Sequence, residues 1–210
     1  MPDNVVALPQ RGKTYLTGPN RTADATATTS IAIDGIIKTF KDLDYTGTAG
    51  AQTRAPRSGG EVTCILVRND SGIALLPGRV AIWKAGAVGK RVDGYLAEDA
   101  LVGTRLSIPA GIVDEFLPTA GVADDDYFWL VVRGPALVKK SIDANTLTQG
   151  ENVVGITAAT SQATTAGRIK SYVQTSNATV ASNQAHQKIG VAISTSATTD
   201  ANVLVYVQLF

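Results

Sequence analysis

From Glu61 onward, short apolar runs alternate with turn residues along the chain. The runs are rich in Val, Ile, Tyr and Phe, and Gly, Pro, Asn and Asp bound them. In order they are VTCILV, RVAIWKA, VDGYLA, GIVDEF, YFWLVV, ALVKK, NVVGIT, RIKSYVQ, KIGVAIS and NVLVYVQL. This composition and spacing are typical of strands, and only AEDALVGTRL could hold an apolar stripe at helical spacing. The pattern predicts an all-β fold, a β-barrel or β-sandwich, over residues 61–210.

The last two runs predict a terminal hairpin whose connection is STSATTDA. Side chains alternate between the two faces of a strand. One face of the final strand carries Val203, Val205, Val207 and Leu209. The other carries Leu204, Tyr206, Gln208 and Phe210. Because apolar residues occupy both faces, we expect this strand either to be buried in the barrel or to form a subunit contact.

Residues 1–60 differ in composition from the rest. Two stretches, LTGPNRTADATATTS and DYTGTAGAQTRAPRSGG, hold too few large apolar side chains to offset the entropy of ordering themselves. Between them lies IAIDGIIKTFKDL, which suits a strand or a short amphipathic helix. We interpret residues 1–60 as an extended, irregular arm that becomes ordered against a partner; an irregular first lobe of the same domain is the alternative. The predicted partner-binding residues are Ile31, Ile33, Ile36, Ile37 and Phe40.

Three consecutive aspartates precede the most apolar run, in DDDYFWLVVRGPALV. In an extended chain Asp124 and Asp126 point away from Asp125, so the three carboxylates do not converge on one ion. The spacing also lacks the alternate ligands, glycine and distal glutamate of a calcium loop. We therefore predict a solvent-facing turn that leads into a strand, Tyr127–Val132, buried on both faces.

No other candidate for chemistry is convincing. Asp114 and Glu115 are adjacent, so on a strand they face opposite sides and need a further carboxylate to make a hydrolase pair. His186 lies in polar SNQAHQK and Cys64 in apolar EVTCILVRN, which favours a solvated histidine and an inert buried thiol. Neither a nucleophile elbow nor a phosphate loop is present in the sequence. We predict no catalytic, cofactor-binding or metal-ligating residues, and no enzyme activity.

The charge and hydropathy of the chain limit the classes of partner that it is expected to bind. The formal net charge is +1 and no basic stripe is visible, which argues against nucleic acid. No apolar stretch approaches the roughly 20 residues of a membrane span. The N-terminal MPDNVVALPQRGK does not have the pattern of a secretory signal. We expect synthesis in the cytoplasm and no association with membranes.

Residues 70–210 resemble the decoration proteins, also called cement or head-stabilising proteins, of tailed bacteriophage capsids. The resemblance lies in LLPGRVAIW, in GIVDEFLPTAGVADDDYFWLVVRGPALV and in the terminal IGVAI strand with its following hairpin. It implies a virion structural protein that binds the outside of the capsid and bridges neighbouring subunits. The implied partners are the major capsid protein and the chain itself, as a homo-oligomer and most often a trimer. A phage fibre or adhesin-type ligand-binding module is the alternative, since it suits the last third, which is rich in Thr, Ser and Asn.

Overall fold

The structure is a computed structural model that describes residues 35–46, 53–86, 90–96, 108–141, 146–155, 166–172, 185–197 and 201–209. Ten strands are defined within these ranges. They are β1 (Ile37–Thr46), β2 (Thr53–Asn69), β3 (Val80–Trp83), β4 (Arg91–Tyr95), β5 (Pro109–Val113), β6 (Tyr127–Lys139), β7 (Asn152–Gly155), β8 (Ile169–Ser171), β9 (Lys188–Ala192) and β10 (Asn202–Gln208). Across the described ranges, no helix has the length and apolarity needed to cross a membrane.

The ten strands form one sheet in the order β1-β2-β4-β3-β5-β6-β10-β9-β7-β8. A further pairing joins β2 directly to β6, so β2, β4, β3, β5 and β6 make a closed circuit of hydrogen-bonded strands. The β2–β4 pair is parallel and the other pairs of the circuit are antiparallel. The prediction of an all-β fold is confirmed, and the closed circuit makes this part of the fold barrel-like.

Strand β6 is the centre of the fold. Its side chains alternate between two hydrophobic clusters, with Trp129 and Val131 in one and Phe128 and Leu130 in the other. All four are fully buried, because the strand has packed layers on both faces. The prediction that YFWLVV is a strand buried on both faces is confirmed for Phe128–Val132.

A glycine marks the point on β6 where its pairing with β2 ends. Strand β2 pairs with Tyr127–Arg133 and β10 with Arg133–Lys139. Gly134 has φ 102°, and a Cβ there would lie 2.4 Å from the carbonyl oxygen of Glu61. Only glycine permits both this backbone conformation and so close an approach of β2.

The predicted terminal hairpin is confirmed, since β10 pairs antiparallel with β9. Val203, Val205 and Val207 are buried, whereas Leu204 is half-buried and Tyr206 is exposed. The two-sided burial of this strand inside the barrel is therefore wrong. One face packs on the core and the other faces outward, and the expected subunit contact stays a prediction.

The segment around Ile37 is a strand rather than a helix: β1 pairs antiparallel with β2. The predicted boundary at residue 60 falls inside β2, which runs without a break from Thr53 to Asn69. Residues 1–34 and 47–52 lie outside the described residues. Ordering of the arm against a partner therefore stays a prediction.

Candidate functional site: an anchored hairpin

An arginine joins the β1–β2 pair to the body of the fold. Arg57 on β2 donates to both carboxylate oxygens of Asp42 on β1, from Nη2 at 2.7 Å and from Nε at 3.3 Å. The same guanidinium binds Glu115, which follows β5, through Nη1 at 2.8 Å and Nη2 at 2.9 Å. We call β1 together with residues 53–62 of β2 the anchored hairpin, since this cluster fastens it to the loop after β5.

The three charged side chains of this cluster are nearly excluded from solvent. Their exposed fractions are 12% for Arg57, 0% for Asp42 and 10% for Glu115. Burial lowers the pKa of Arg57, but hydrogen bonds and charges from Glu115 and Asp42 more than offset this, so the pKa lies above its usual range. The guanidinium is therefore charged at every pH at which the protein would be studied, so the cation that the two carboxylates share is always present.

The same contacts bear on whether the adjacent carboxylates Asp114 and Glu115 could act as a catalytic acid and base. Asp114 is completely buried, and its Oδ1 accepts the Phe116 N–H at 3.4 Å. Glu115 is bound by Arg57 and also accepts the N–H of Leu137 at 3.3 Å. One carboxylate is inside the protein and the other is held by a guanidinium that it shares with Asp42, so the pair lacks the two accessible carboxyl groups that acid–base catalysis needs.

The acidic cluster before β6 forms a turn fastened to the end of β2. Asp124 accepts the Gly72 N–H at 2.8 Å, and Asp125, at φ 72°, forms an ion pair with Arg68. Asp126 is buried, so the prediction that all three carboxylates face solvent is wrong for this residue. No set of three or more His, Cys, Asp or Glu side chains in the described ranges is arranged to hold a metal.

Sequence reasoning missed the side chain that organises this turn. Asn69 is fully buried, and its Nδ2 donates to the carbonyl oxygens of Ile73, Val122 and Ala123. The motif RNDSG directly after a strand is a turn signal. It gave no indication of the contacts at residues 122 and 123, which are more than fifty positions away.

The predicted partner-binding residues differ in whether the structure describes them and in how exposed they are. Ile31 and Ile33 lie outside the described residues. Ile36 is half-buried and packs against the larger core cluster, which includes Trp129. Ile37 is 65% exposed at the start of β1. Of the three that the structure describes, only Ile37 presents most of its side chain to solvent.

Phe40 has a contact within its own chain. Its ring meets that of Trp129 edge to face, with centroids 5.3 Å apart and planes inclined at 74°. This geometry is favourable for aromatic pairs. Phe40 therefore adds an apolar contact to the ionic one and holds β1 against the core.

Two further candidates from the sequence occupy unremarkable environments. His186 is exposed in the turn before β9. Cys64 is fully buried in the larger core cluster. These positions agree with the solvated histidine and buried thiol expected from their sequence contexts.

A shallow groove of about 330 Å³ lies beside the anchored hairpin. It is lined by the loop before β3, by the loop after β5, and by the ends of β6 and β10. The lining residues are Leu76, Pro77, Gly78, Arg79, Glu115, Leu117, Thr119, Leu137, Lys139 and Asn202. The charged lining residues are two cations, Arg79 and Lys139, and one carboxylate, Glu115.

The comparisons with known proteins define only a distant likeness. No protein-family model and no curated protein matches the chain. Among solved structures, the chain is similar to one described as "The capsid of Myoviridae Phage XM1", at 17% identity and a TM-score of 0.44. The match covers 81% of this chain and 93% of that chain. At this identity and TM-score, the likeness assigns neither a family nor a function.

Proposed function

We propose that the protein is a virion structural protein that binds the outside of a tailed-phage capsid and stabilises the head by bridging neighbouring capsid subunits. The observation that carries the proposal is the anchored hairpin. A bridging protein needs one part that sits on one subunit and another, held at a fixed position, that reaches the next. The ionic cluster around Arg57 and the contact between Phe40 and Trp129 supply that fixed position.

The dimensions of β2 suit such a role. This strand has 17 residues and therefore spans about 55 Å. Residues 63–68 pair with β6 inside the closed circuit, whereas 53–62 pair with no described strand other than β1. A two-stranded extension of a barrel-like body offers a sheet edge that a neighbouring chain can join by main-chain hydrogen bonds. In this proposal the segment before β1, with Ile31 and Ile33, contacts the neighbouring subunit from the other end of the hairpin, where Ile37 pairs with Ile65 of the closed circuit.

We propose that the protein has no catalytic activity. The adjacent carboxylates Asp114 and Glu115 support this, since one is buried and the other is bound to Arg57. The resemblance of residues 70–210 to capsid decoration proteins points to the same function. It also suggests a homo-oligomer, with a trimer favoured, on the capsid exterior after synthesis in the host cytoplasm.

The test is a binding experiment with the full chain. Purified protein is added to expanded, undecorated shells assembled from the capsid protein of the same genome. We expect saturable binding, at a fixed ratio to capsid subunits, and a higher temperature for shell disruption. Failure to bind over a range of salt and stoichiometry would refute the proposal. Saturable binding to cells or glycans instead would favour the adhesin-type alternative.

A further inference from the structure

The sheet formed by β6, β10 and β9 has an apolar outer face. Register places Leu137 opposite Leu204 and Tyr206 opposite Val191, and the Ile193 N–H donates to the carbonyl of Leu204 at 2.9 Å. Neighbouring residues on these strands have the opposite orientation and are buried in the core. We call the set the outer face: Leu137, Val191, Ile193, Leu204 and Tyr206.

Two of the exposed large apolar side chains of the described residues lie on this face. Leu137 is 37% exposed and Tyr206 is 38% exposed. Tyr172, also 38% exposed, adjoins the face because its N–H donates to Asn152, which pairs with Val191. A seven-residue strand in a layer three strands wide covers roughly 300 Å² in all, with the apolar side chains at its centre and the pairs Asn202–Lys139 and Gln208–Arg133 at its ends. Clusters of exposed apolar side chains often mark binding sites.

The charged residues on the three strands of this face have one sign. Strands β6, β9 and β10 contain no Asp or Glu, and their charged residues are Arg133, Lys139 and Lys188. None of these three forms an ion pair with a described residue. Glu115, whose carboxylate accepts the Leu137 N–H, is already paired with Arg57. The charged residues of β6, β9 and β10 are therefore all cationic, although Glu151 adjoins β9 through the Ala192 N–H.

We infer that the outer face is a docking surface for a protein partner that is apolar at its centre and carries carboxylates at its edge. The inference rests on the function proposed above, under which that partner is the capsid shell. A second copy docked through the same face would bring the positive charges of these strands together, which is unfavourable. An area of roughly 300 Å² is well below the roughly 800 Å² per partner of a standard interface. The anchored hairpin supplies the second contact.

The experiment measures binding to undecorated shells by a variant of the full chain, Leu137→Ser/Tyr206→Ser. Both side chains are partly exposed, so the fold should be retained, which near-ultraviolet circular dichroism and the melting temperature check. The matched control is Ile73→Ser, because Ile73 is also 37% exposed but lies outside the outer face. We expect affinity to fall about tenfold or more for the double variant and to stay within about twofold for the control.

A second variant tests the positive charges on β6. Arg133→Glu/Lys139→Glu should weaken shell binding, and binding by the unaltered protein should fall as salt rises.

If the unaltered protein binds no shells, the proposed function and this inference both fail. If it binds and the outer-face variants bind as tightly as the Ile73 control, only this inference fails. Loss of self-association with unchanged shell binding would assign the face to a second copy and overturn the inference as well.

Discussion

Replacing Arg57 by methionine should destabilise the protein by about 3 kcal/mol. The substitution keeps much of the aliphatic stem but leaves the carboxylates of Asp42 and Glu115 facing each other without a cation. Removing one partner of a buried ionic cluster costs about 3–5 kcal/mol. The lower end applies because Arg57 and Glu115 keep 12% and 10% exposure. With a urea m-value of about 2 kcal/mol/M, the unfolding midpoint should fall by about 1.5 M.

The matched control is Arg68→Met. Arg68 also pairs with an aspartate, Asp125, but their exposed fractions are 25% and 43%. An ion pair this accessible contributes about 1 kcal/mol or less. Adding Asp42→Asn and Glu115→Gln to the Arg57 variant should recover part of the loss, because neutral amides cost less to bury than charges. Equal midpoints for the Arg57 and Arg68 variants, or no recovery by the amides, would refute the view that the cluster anchors the hairpin.

Three further outcomes are expected. Trp129→Ala should cost about 3–5 kcal/mol in chemical unfolding, since the side chain is fully buried; a loss under 1 kcal/mol would contradict this. Burial alone raises the pKa of Asp70, but the nearby cations Arg91 and Lys84 more than offset this, so the pKa lies below its usual value. The charged carboxylate therefore stabilises the folded protein above the usual aspartate pKa of about 3.9, and this stabilisation is lost as pH falls through the lowered pKa. Asp70→Asn should therefore be less stable than the unaltered protein at pH 7, by a margin that shrinks below about pH 4; a constant margin in urea titrations would argue otherwise. Deleting residues 1–34 should leave the melting temperature nearly unchanged but weaken shell binding, and unchanged affinity would exclude the arm from attachment.

The periodicity of the sequence was a good guide to strands and a poor guide to their partners. The run YFWLVV was identified as a buried strand because apolar residues occupy both its odd and its even positions. The two hydrophobic clusters that meet at β6 explain that pattern. The terminal hairpin followed from two runs joined by a polar connection. The exposure of Tyr206 was not predicted, because alternation does not tell whether a second layer covers the outer face.

The anchored hairpin could not be inferred from local sequence at all. Arg57 meets Asp42 and Glu115 across 15 and 58 positions, and in the sequence it lies in a segment that looks too polar to be ordered. Asp126 is a similar case, since it is buried although its two preceding neighbours are not. In each case the deciding interaction is tertiary, and composition averaged over a window carries no information about it.

The closed circuit has a consequence for how the chain folds. One of its links joins β2 to β6, and because the paired residues Thr63 and Arg133 are far apart in the sequence, their contact closes a long loop. Closing that loop costs conformational entropy before the contacts of Trp129 form and offset the cost. Folding should therefore be slow, on the millisecond-to-second scale typical of all-β topologies. Until then the edge of β6 that β2 covers in the folded protein has no partner. Three aspartates precede β6, and like charges on two such segments would keep nascent chains apart until the circuit closes.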